Sequence, residues 1–488
     1  MADTVRRAGD AMTTLGIDLG TGSVKAEIVD DDGRVTGRAS HPYRVRSPRP
    51  GWAEGDPREW LAAAREVAEV AAYGVHPGPT AVGFSGQMHG VVVTDAAFTP
   101  LRPAILWADT RATAEAAELR RALSSEDLSR LGSPPVPGFA ATTIAWLLRN
   151  EPEVMAKAVH VLQPKDWLRT FLGGEIATDP SDASGTLMYD VVSGQWSSLV
   201  LDGLGIDRAL LPPVLSSVEV VGEVRLGGAN QRLDCVVGAA DTACALAGLG
   251  LRPGDGYVAV GTGAQVVRVM SEPSVDASLR THTFATAGAP GDGWYRLGAV
   301  QSGGLALSAI LRGLDATPEE AARALHKGVR PDDPIFVPYL SGERTPFMNP
   351  ELRGSWHGLS LSTDRPAMLR SVLEGVAQAV ALGVDAVQDS GQALPDTVPL
   401  IGGGTHHPAF RQLLADASGL SLMITDAPDS AVVGAALLAS GRTSNPRALA
   451  GVETVTPDAH AARLLRHRRA MMVAYAQSGA GSATKESS

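Results

Sequence analysis

The chain contains very little cysteine: two residues in 488, Cys235 and Cys244. Two cysteines are too few for a disulfide framework, and no cysteine and histidine residues show the spacing of metal ligands. We expect both cysteines to be ordinary buried thiols, because free cysteine packs as a small apolar residue. The sequence therefore excludes the class of small domains that are held together by disulfides.

Positive charge is also scarce, with 42 lysine and arginine residues against 53 aspartate and glutamate residues and a net charge of −11 at pH 7. This balance argues against nucleic acid or an anionic membrane as the main partner. We find no run of about 18 apolar residues, and residues 1–14 lack the apolar centre of a signal peptide. We expect a cytoplasmic protein without nucleic-acid or membrane partners.

The remaining composition is that of an ordinary globular protein, with 44% hydrophobic and 19% charged residues. The length of 488 residues exceeds what one hydrophobic core usually serves, so two domains are expected. We place the first domain at residues 15–237 and the second at 238–476. The polar residues 1–14 and the Gly-, Ser- and Ala-rich residues 477–488 are predicted to be disordered tails.

Short apolar runs separated by turn residues predict an α/β fold. Asp56 is expected to cap the helix that starts at Pro57, which suits the first helical position. The predicted strands are Leu15–Leu19, Ser23–Asp30, Arg34–Tyr43 and Thr80–Phe84, and the predicted helices are Pro57–Ala72, Asp109–Leu123 and Pro408–Ser418.

One glycine turn occurs twice in the chain. Leu19-Gly-Thr-Gly-Ser-Val24 returns as Val260-Gly-Thr-Gly-Ala-Gln265, 241 residues later, and each copy lies between two short apolar runs. This repeat predicts a duplicated domain with a cleft between the copies. The alternative is coincidence in a chain with 54 glycines.

The first glycine turn has the residues that a phosphate site needs. Gly22 lets the backbone approach a phosphate, and the hydroxyls of Thr21 and Ser23 add donors. Asp18 ends the preceding strand, where it could hold Mg²⁺, directly or through water. Lys25 shares a face with Ser23 on an alternating strand and could reach a phosphate. An ordinary hairpin explains the same motif equally well.

Two further glycine turns would complete a nucleotide site. Gly261 and Thr262 belong to the second copy of the repeat, and Gly403 and Gly404 follow an apolar run just before the predicted helix at Pro408. The glycines would let a nucleotide lie close to the backbone near a helix N-terminus. No Gly-Lys dipeptide exists, which excludes a P-loop. We interpret the three turns as a site for ATP in a cleft between domains, although a loose strand–helix connection also explains the third.

A general base is predicted at Asp241. This residue lies between an apolar run that starts at Val236 and a helix of small residues, and strand ends line the cleft of open α/β sheets. A carboxylate there can take the proton of an attacking hydroxyl. A helix N-cap is the alternative role for Asp241.

With these segments in view, the chain resembles the FGGY family of carbohydrate kinases, and within it the xylulokinase branch. The resemblance runs from about residue 15 to 440. The matching segments are Gly16-Ile-Asp-Leu-Gly-Thr21, Ser85-Gly-Gln-Met-His-Gly90, Leu101-Arg-Pro-Ala-Ile-Leu-Trp107, Leu162-Gln-Pro-Lys-Asp166, Asp179-Pro-Ser-Asp-Ala-Ser-Gly185, Pro338-Tyr-Leu-Ser-Gly-Glu-Arg-Thr-Pro346 and Ile401-Gly-Gly-Gly404.

The resemblance implies two actin-like (ribonuclease H-like) ATPase domains with ATP and Mg²⁺ in the cleft between them. It implies that Asp241 is the catalytic base, that Asp18 supports the metal, and that the substrate is a ketose, D-xylulose above all. Met88 and His89 would contact the sugar, with Thr242 beside it. The residues along the nucleotide would be Thr21, Thr262, Gly403 and Gly404. On spacing alone, a pair such as Met88-His89 after a strand is more often part of the core.

The chain departs from the family pattern at a few positions, among them Thr143, Gly263 and Thr242. Thr242 stands where xylulokinases usually have asparagine, so another ketose or polyol, such as sedoheptulose or ribulose, is the runner-up substrate. Glycerol is disfavoured, because glycerol kinases usually carry an Arg-Glu pair in place of Met88-His89. A non-catalytic ATP or sugar sensor is a further alternative, and a homodimer is compatible with the sequence. We expect His406 and His407 to lie in solvent rather than on the nucleotide.

Overall fold

The computed structural model describes residues 13–226, 231–425, 429–445, 449 and 453–480. The first strand begins at Thr13, two residues before the predicted start of the first domain at Leu15, because Thr13 and Thr14 pair with Asp30 and Val29 of the next strand. The last helix continues to Ala480, past the predicted start of the C-terminal tail. The other tail residues, 1–12 and 481–488, lie outside the described residues.

The first half of the chain contains thirteen strands and nine helices among its described residues, together with a 3₁₀ turn at Arg208–Leu210. In chain order the elements are β1 Thr13–Leu19, β2 Ser23–Asp30, β3 Val35–Pro42, β4 Glu54–Gly55, α1 Pro57–Ala72, β5 Ala81–Gly86, β6 Val92–Thr94, β7 Ala104–Ile105, α2 Thr113–Ala122, α3 Ser125–Leu131, α4 Ala140–Asn150, α5 Pro152–Met155, β8 His160–Leu162, α6 Pro164–Phe171, α7 Pro180–Ser184, β9 Tyr189–Asp190, β10 Gln195–Trp196, α8 Ser198–Leu204, β11 Val220–Arg225, β12 Arg232–Val236, β13 Ala239–Ala240 and α9 Asp241–Gly248.

The described part of the second half contains nine strands and six helices, with 3₁₀ turns at Leu325–Lys327 and Gly403–Thr405. Its elements are β14 Gly256–Val260, β15 Ala264–Met270, β16 His282–Ala285, β17 Trp294–Val300, α10 Gly304–Gly313, α11 Pro318–Ala324, β18 Ile335–Val337, β19 Ser355–His357, α12 Arg365–Asp389, β20 Thr397–Ile401, α13 Pro408–Ser418, β21 Ser421–Ile424, α14 Ser430–Ala439, β22 Glu453–Val455 and α15 Ala459–Ala480.

Several predicted elements begin and end at the predicted residues. The helix Pro57–Ala72 has Asp56 as its N-cap, whose side chain accepts a hydrogen bond from the Arg58 N–H. The helix predicted from Asp109 begins instead at Thr113. The reason is local: the Asp109 carboxylate accepts hydrogen bonds from the Ala53 N–H at 2.6 Å and from Arg111, which holds residues 109–112 in a turn.

The two halves contain the same five-stranded sheet pattern. In the first sheet the order is β12-β5-β1-β2-β3, with β1, β5 and β12 parallel and β2 and β3 antiparallel to their neighbours. In the second sheet the order is β21-β20-β14-β15-β17, with the same directions. The repeated glycine turns connect β1 to β2 and β14 to β15. The repeat in the sequence is therefore a repeat of structure.

The first sheet continues past residue 237, because β13 pairs with β5 through Ala239 and Ala240. The halves are tied together by two helices. Helix α14 of the second half packs on β1 and β5 of the first sheet, where Gly16 and Gly83 leave room for its backbone. Helix α9 shares a hydrophobic cluster with β14 and β15. The backbones of α9 and α14 cross in direct contact at Gly248 and Gly434.

Helix α12 forms the centre of the second hydrophobic core. Among the described residues it is the one helix that is long and apolar enough to cross a membrane, and 89% of its apolar window is buried inside the protein. It packs against β15, β17 and α13. The burial of its apolar surface accounts for its hydropathy, as for the core helix of a globular domain. Both cysteines are buried, as predicted.

Candidate active site

The carboxyl edge of the first sheet brings together the predicted catalytic residues. Strands β1, β5 and β13 are parallel neighbours, with Asp18 opposite Ser85 and Ser85 opposite Ala239. Met88 and His89 follow β5, and Asp241 follows β13. Segments that lie far apart in the sequence thus end side by side, where open α/β sheets bind their ligands.

Asp18 and Asp241 are close enough for their charges to interact. Burial and then the charge of Asp18 raise the pKa of Asp241 to about 7. Burial also raises the pKa of Asp18, whose Oδ1 accepts a 2.7 Å hydrogen bond from Ser85. Two carboxylates that compete for ionisation mark a site whose groups are tuned for proton transfer or for a cation.

The local structure bears on the two roles predicted for Asp241, general base and helix N-cap. The N-cap of α9 is Ala240, and Asp241 is the first residue inside the helix. The Oδ1 atom of Asp241 accepts hydrogen bonds from the N–H of Thr242 at 2.5 Å and from its hydroxyl at 3.1 Å. Among the described residues Oδ2 has no hydrogen-bond partner. One carboxylate oxygen is fixed in position and the other remains able to accept a proton.

The first glycine turn leaves its polar groups available. The Thr21 hydroxyl accepts a 2.9 Å hydrogen bond from Trp107 Nε1, so its own O–H remains free to donate. A Cβ at Gly22 would meet nothing within 4 Å, so the backbone there is open to a ligand. Ser23 begins β2 and is partly exposed. This geometry suits an anion that approaches from the cleft.

Lys25 lies on the face of β2 predicted from its alternation with Ser23. Its ammonium forms a 2.8 Å ion pair with Asp429 at the start of α14, and both side chains are partly exposed. The lysine therefore joins the first sheet to the helix that the second half contributes. The ion pair places a mobile cation beside the glycine turn, with a carboxylate as its partner in this structure.

The second and third glycine turns pack against each other. Gly402 and Gly404 lie against Val260, the last residue of β14, and the turn with Gly261 and Thr262 follows directly. The N-terminus of α10 joins them: the Gly304 N–H donates to the Gly261 carbonyl at 2.9 Å, and the Leu305 N–H donates to the Thr262 carbonyl at 2.9 Å. Around Gly403 and Gly261, a Cβ would have no neighbour closer than 4.0 Å.

The Met88–His89 pair is buried among aromatic side chains. The His89 ring stacks on Phe139 with 4.0 Å between ring centroids, and Phe284 lies at 5.8 Å. Met88 Sδ accepts a 3.6 Å hydrogen bond from the Tyr295 hydroxyl. His89 has a left-handed backbone, with φ of 70°, which few residues other than glycine adopt without strain.

The protonation of His89 follows from its contacts. Burial lowers its pKa to about 3, so the ring is neutral at physiological pH. Its Nδ1 lies 2.6 Å from the Gly185 carbonyl oxygen, which can only accept, so Nδ1 carries the proton. Nε2 is therefore an acceptor for a ligand hydroxyl. Thr242 is also buried.

A buried network of hydrogen bonds and ion pairs contacts the segments that carry Asp241 and His89. Ser181 in α7 accepts a 2.9 Å hydrogen bond from the Ala240 N–H, next to Asp241, and donates to Asp179. Lys165 Nζ lies 3.1 Å from the carboxylates of both Asp179 and Asp182. The motif Asp179 to Gly185 thus holds both the strand before Asp241 and the carbonyl that orients His89.

Several residues around the pocket were missed by the sequence argument. Trp107, Phe139, His282, Phe284 and Arg344 come from loops and strand edges, and no periodicity marks them. The Trp107 and Arg344 segments were part of the family resemblance, which was the available signal. His407 caps α13 by accepting a hydrogen bond from the Ala409 N–H, and its contact with a nucleotide stays untested.

Two duplicated sheets, each with a glycine turn after its first strand, define an actin-like ATPase fold, and two carboxylates lie at the edge of the first sheet. The models of the FGGY family of carbohydrate kinases match the chain, the N-terminal domain over residues 13–248 and the C-terminal domain over residues 256–441. The chain belongs to this family. It is accordingly an ATP-dependent sugar kinase.

Named relatives are similar over most of the chain. It is 34% identical to "Xylulose kinase" of Escherichia coli K12 over 416 residues, which cover 84% of this chain and 85% of that enzyme. It is 35% identical to "Xylulose kinase" of Klebsiella pneumoniae over 422 residues, with the same coverage. The crystal structure of a "xyloylose kinase" from Brucella ovis matches with a TM-score of 0.87 and 31% identity, and covers 96% of this chain and 99% of that one.

Proposed function

We propose that this kinase transfers the γ-phosphoryl group of ATP to the primary hydroxyl of D-xylulose, forming D-xylulose 5-phosphate and ADP. The names of the similar enzymes support the choice of sugar. The observation that carries the chemistry is the position of Asp241 at the sheet edge, next to Asp18, with its pKa raised to about 7. A base with this pKa is poised near the working pH.

In the proposed reaction, Asp241 Oδ2 takes the proton of the sugar hydroxyl while the hydroxyl oxygen bonds to the γ-phosphorus. The bond from the γ-phosphorus to the β,γ-bridging oxygen breaks, and ADP leaves with that oxygen. The hydrogen bonds from Thr242 to Oδ1 keep the carboxylate aligned. Phosphoryl transfer asks the protein mostly for positioning and charge stabilisation, which a fixed carboxylate beside a closed cleft provides.

We assign sugar binding to Met88, His89 and Thr242. The neutral His89 ring would accept a sugar hydroxyl at Nε2, and its stacking on Phe139 fixes the direction of that bond. Met88 offers an adaptable apolar wall. An alternative substrate within the class is another ketose or polyol, such as sedoheptulose or ribulose, because Thr242 is shorter than the asparagine of the xylulokinase pattern.

We assign ATP binding to the three glycine turns. The β- and γ-phosphates would lie between the turn at Thr21, Gly22 and Ser23 and the turn at Gly261 and Thr262. The remaining nucleotide would lie along Gly403 and Gly404, where no Cβ stands in the way. Lys25 would exchange its ion pair with Asp429 for a phosphate oxygen, which is a short movement for a partly exposed side chain.

The residues fit a magnesium ion that arrives with ATP. No group of three or more acidic, histidine or cysteine side chains in the described part of the chain forms a metal cage. Mg²⁺ often binds through one or two carboxylates together with waters and substrate phosphates, and Asp18 at the sheet edge provides the carboxylate. When bound, Mg²⁺ supplies neutralisation of the charge on the phosphate oxygens. Asp18 would hold it directly or through water.

The wider predictions remain proposals. We propose that the first domain, predicted at residues 15–237, binds the sugar and that the second domain, predicted at 238–476, binds the nucleotide. Because β13 pairs with β5, the first sheet includes Ala240 and extends past the predicted boundary at residue 237. We propose a cytoplasmic location, with which the net charge of −11 is consistent. We also propose a homodimer, with which exposed apolar side chains such as Leu361 are consistent.

A coupled ADP-release assay over a panel of sugars tests the substrate. The panel contains D-xylulose, D-ribulose, sedoheptulose and glycerol, each with saturating Mg-ATP, and the product is identified by phosphorus NMR. We expect the highest kcat/KM on D-xylulose. Highest turnover on another sugar would overturn the xylulose assignment alone, and no turnover on any sugar would favour a non-catalytic sensor.

A further inference from the structure

Arg344 is presented to the cleft by a rigid segment. The Glu343 carboxylate accepts a 2.6 Å hydrogen bond from the Gln301 N–H, just after β17. Thr345 pairs with Ala299 of β17 through its N–H at 2.9 Å and through its hydroxyl at 3.0 Å. The residues on both sides of Arg344 are therefore fixed to the second sheet, and the direction of the arginine is set by the fold.

The guanidinium contacts Trp107 of the first half. Its carbon lies 5.2 Å from the centre of the Trp107 ring, and Nη2 donates a 3.4 Å hydrogen bond to the Trp107 carbonyl. That carbonyl packs against Gly138, and the next residue, Phe139, stacks on His89. Arg344 therefore reaches the wall of the proposed sugar pocket.

Arg344 differs in its partners from three buried arginines of this protein, whereas the buried Arg296 also forms no ion pair among the described residues. Arg169, Arg370 and Arg468 each lie within 3.1 Å of a carboxylate oxygen. Among the described residues, the guanidinium of Arg344 forms no ion pair, and its one hydrogen bond is to a carbonyl. Burial lowers its pKa, because a desolvated charge without a carboxylate partner is costly. Arg344 is partly exposed, so its remaining N–H groups can donate to a polar ligand.

Trp107 relates Arg344 to the two parts of the site. Arg344 binds the Trp107 carbonyl, which packs on Gly138 next to the Phe139 ring that stacks on His89, whereas Trp107 Nε1 donates to Thr21 of the first glycine turn. The hydrogen bond of the guanidinium is therefore on the side of Trp107 that packs toward Phe139 and His89. This step rests on the proposed function: with the reacting primary hydroxyl at Asp241, the ketone and the terminal hydroxymethyl group of an open-chain ketose point away from Asp241.

We propose that Arg344 determines specificity by donating a hydrogen bond to the ketone oxygen of the sugar, and so selects ketoses over polyols. A carbonyl oxygen is a pure acceptor and the guanidinium is a pure donor, so the pair is complementary. The corresponding carbon of a polyol is tetrahedral. Its hydroxyl oxygen therefore lies outside the plane in which the ketone oxygen accepts the hydrogen bond. The contact with Trp107 would keep the guanidinium aimed while the sugar enters.

The test compares D-xylulose with xylitol, one of the two polyols formed when its ketone is reduced. The variants Arg344→Lys and Arg344→Ala are compared with the wild type by kcat/KM for each sugar and by calorimetric binding of each sugar. We expect the ratio of kcat/KM for D-xylulose over xylitol to fall by about tenfold in Arg344→Ala, as for a lost hydrogen bond to a charged group. The KM for ATP should change little.

The matched control is Arg280→Ala, which removes a neighbouring, partly exposed arginine that pairs with Asp389 at 3.6 Å. It should leave the sugar ratio unchanged. If Arg344→Ala unfolds, Arg344→Lys carries the test, because lysine keeps the positive charge but lacks the planar guanidinium group. An unchanged ratio of kcat/KM for D-xylulose over xylitol in the folded Arg344 variants would overturn the proposal. Absence of wild-type turnover on any ketose would instead overturn the proposed function on which it rests.

Discussion

At the scale of single residues, the reaction depends on how Asp241 is held. Its carboxylate is enclosed, lies near Asp18, and is bonded on one oxygen by Thr242. Enclosure and a like charge both favour the protonated form, so the pKa rises to about 7. The same features make Asp241 a better proton acceptor than an exposed aspartate, because basicity increases with pKa.

A first prediction follows for pH. Asp241 acts in its ionised form, so kcat/KM should fall about tenfold per pH unit below about pH 7 and level off above it. His89, with a pKa of about 3, stays neutral throughout and should not contribute. The measurement is the pH profile of kcat/KM for D-xylulose between pH 5.5 and 8.5 at saturating Mg-ATP. A flat profile over this range would argue against Asp241 as the base.

Much of the site could be predicted from single residues and short motifs. The turn at Thr21 and Gly22, the carboxylates Asp18 and Asp241, and the pair at His89 were all named from local patterns or the family resemblance. Contacts between distant segments could not be predicted. Trp107 meets Arg344 across 237 positions of sequence, and nothing local in either segment specifies its partner.

At the scale of elements, the crossing of α9 and α14 requires glycine. A Cβ on Gly434 would lie 1.8 Å from the Cys244 carbonyl oxygen, and one on Gly248 would lie 1.9 Å from the Ser430 carbonyl oxygen. The helix axes can approach this closely because neither position carries a side chain. Small residues along both helices were visible in the sequence, whereas their crossing was not, since each helix packs on elements from the other half.

A second prediction concerns this crossing. Gly434→Ala should destabilise the protein by about 1–3 kcal/mol or more, because the methyl group forces the two backbones apart. The measurement is urea unfolding followed by circular dichroism. The control is Gly203→Ala in α8, where a Cβ meets nothing within 4 Å, and where alanine should stabilise the helix by about 0.5–1 kcal/mol. Equal stability of the two variants would contradict the role given to the crossing.

At the scale of the whole molecule, the halves exchange helices. Helix α14 covers β1 and β5 of the first sheet, and α9 joins the hydrophobic cluster of β14 and β15. The length and the glycine repeat predicted two similar halves. They did not predict the exchange, because the hydrophobic pattern of a helix shows that it has a buried face and does not show which sheet covers that face.

A third prediction follows from the exchange. A fragment of residues 13–250 lacks α14, which leaves the apolar face of β1 and β5 uncovered, and it should show no cooperative urea unfolding. Expression together with residues 251–480 should restore a cooperative transition. The fragment unfolding cooperatively by itself, with an m-value that matches its size, would show that the first half folds independently of α14.

The most direct test of the account compares wild type with Asp241→Asn in D-xylulose-dependent ADP release at pH 8. We predict sugar-dependent turnover in the wild type and a loss of about 10²–10⁴-fold in kcat in the variant. Since the pKa of Asp241 is raised above its ordinary value, its contribution to stability is lost as pH rises through about 7. The folded variant should therefore be no less stable than the wild type at pH 8, which thermal unfolding checks. A folded variant with nearly full turnover would contradict the account.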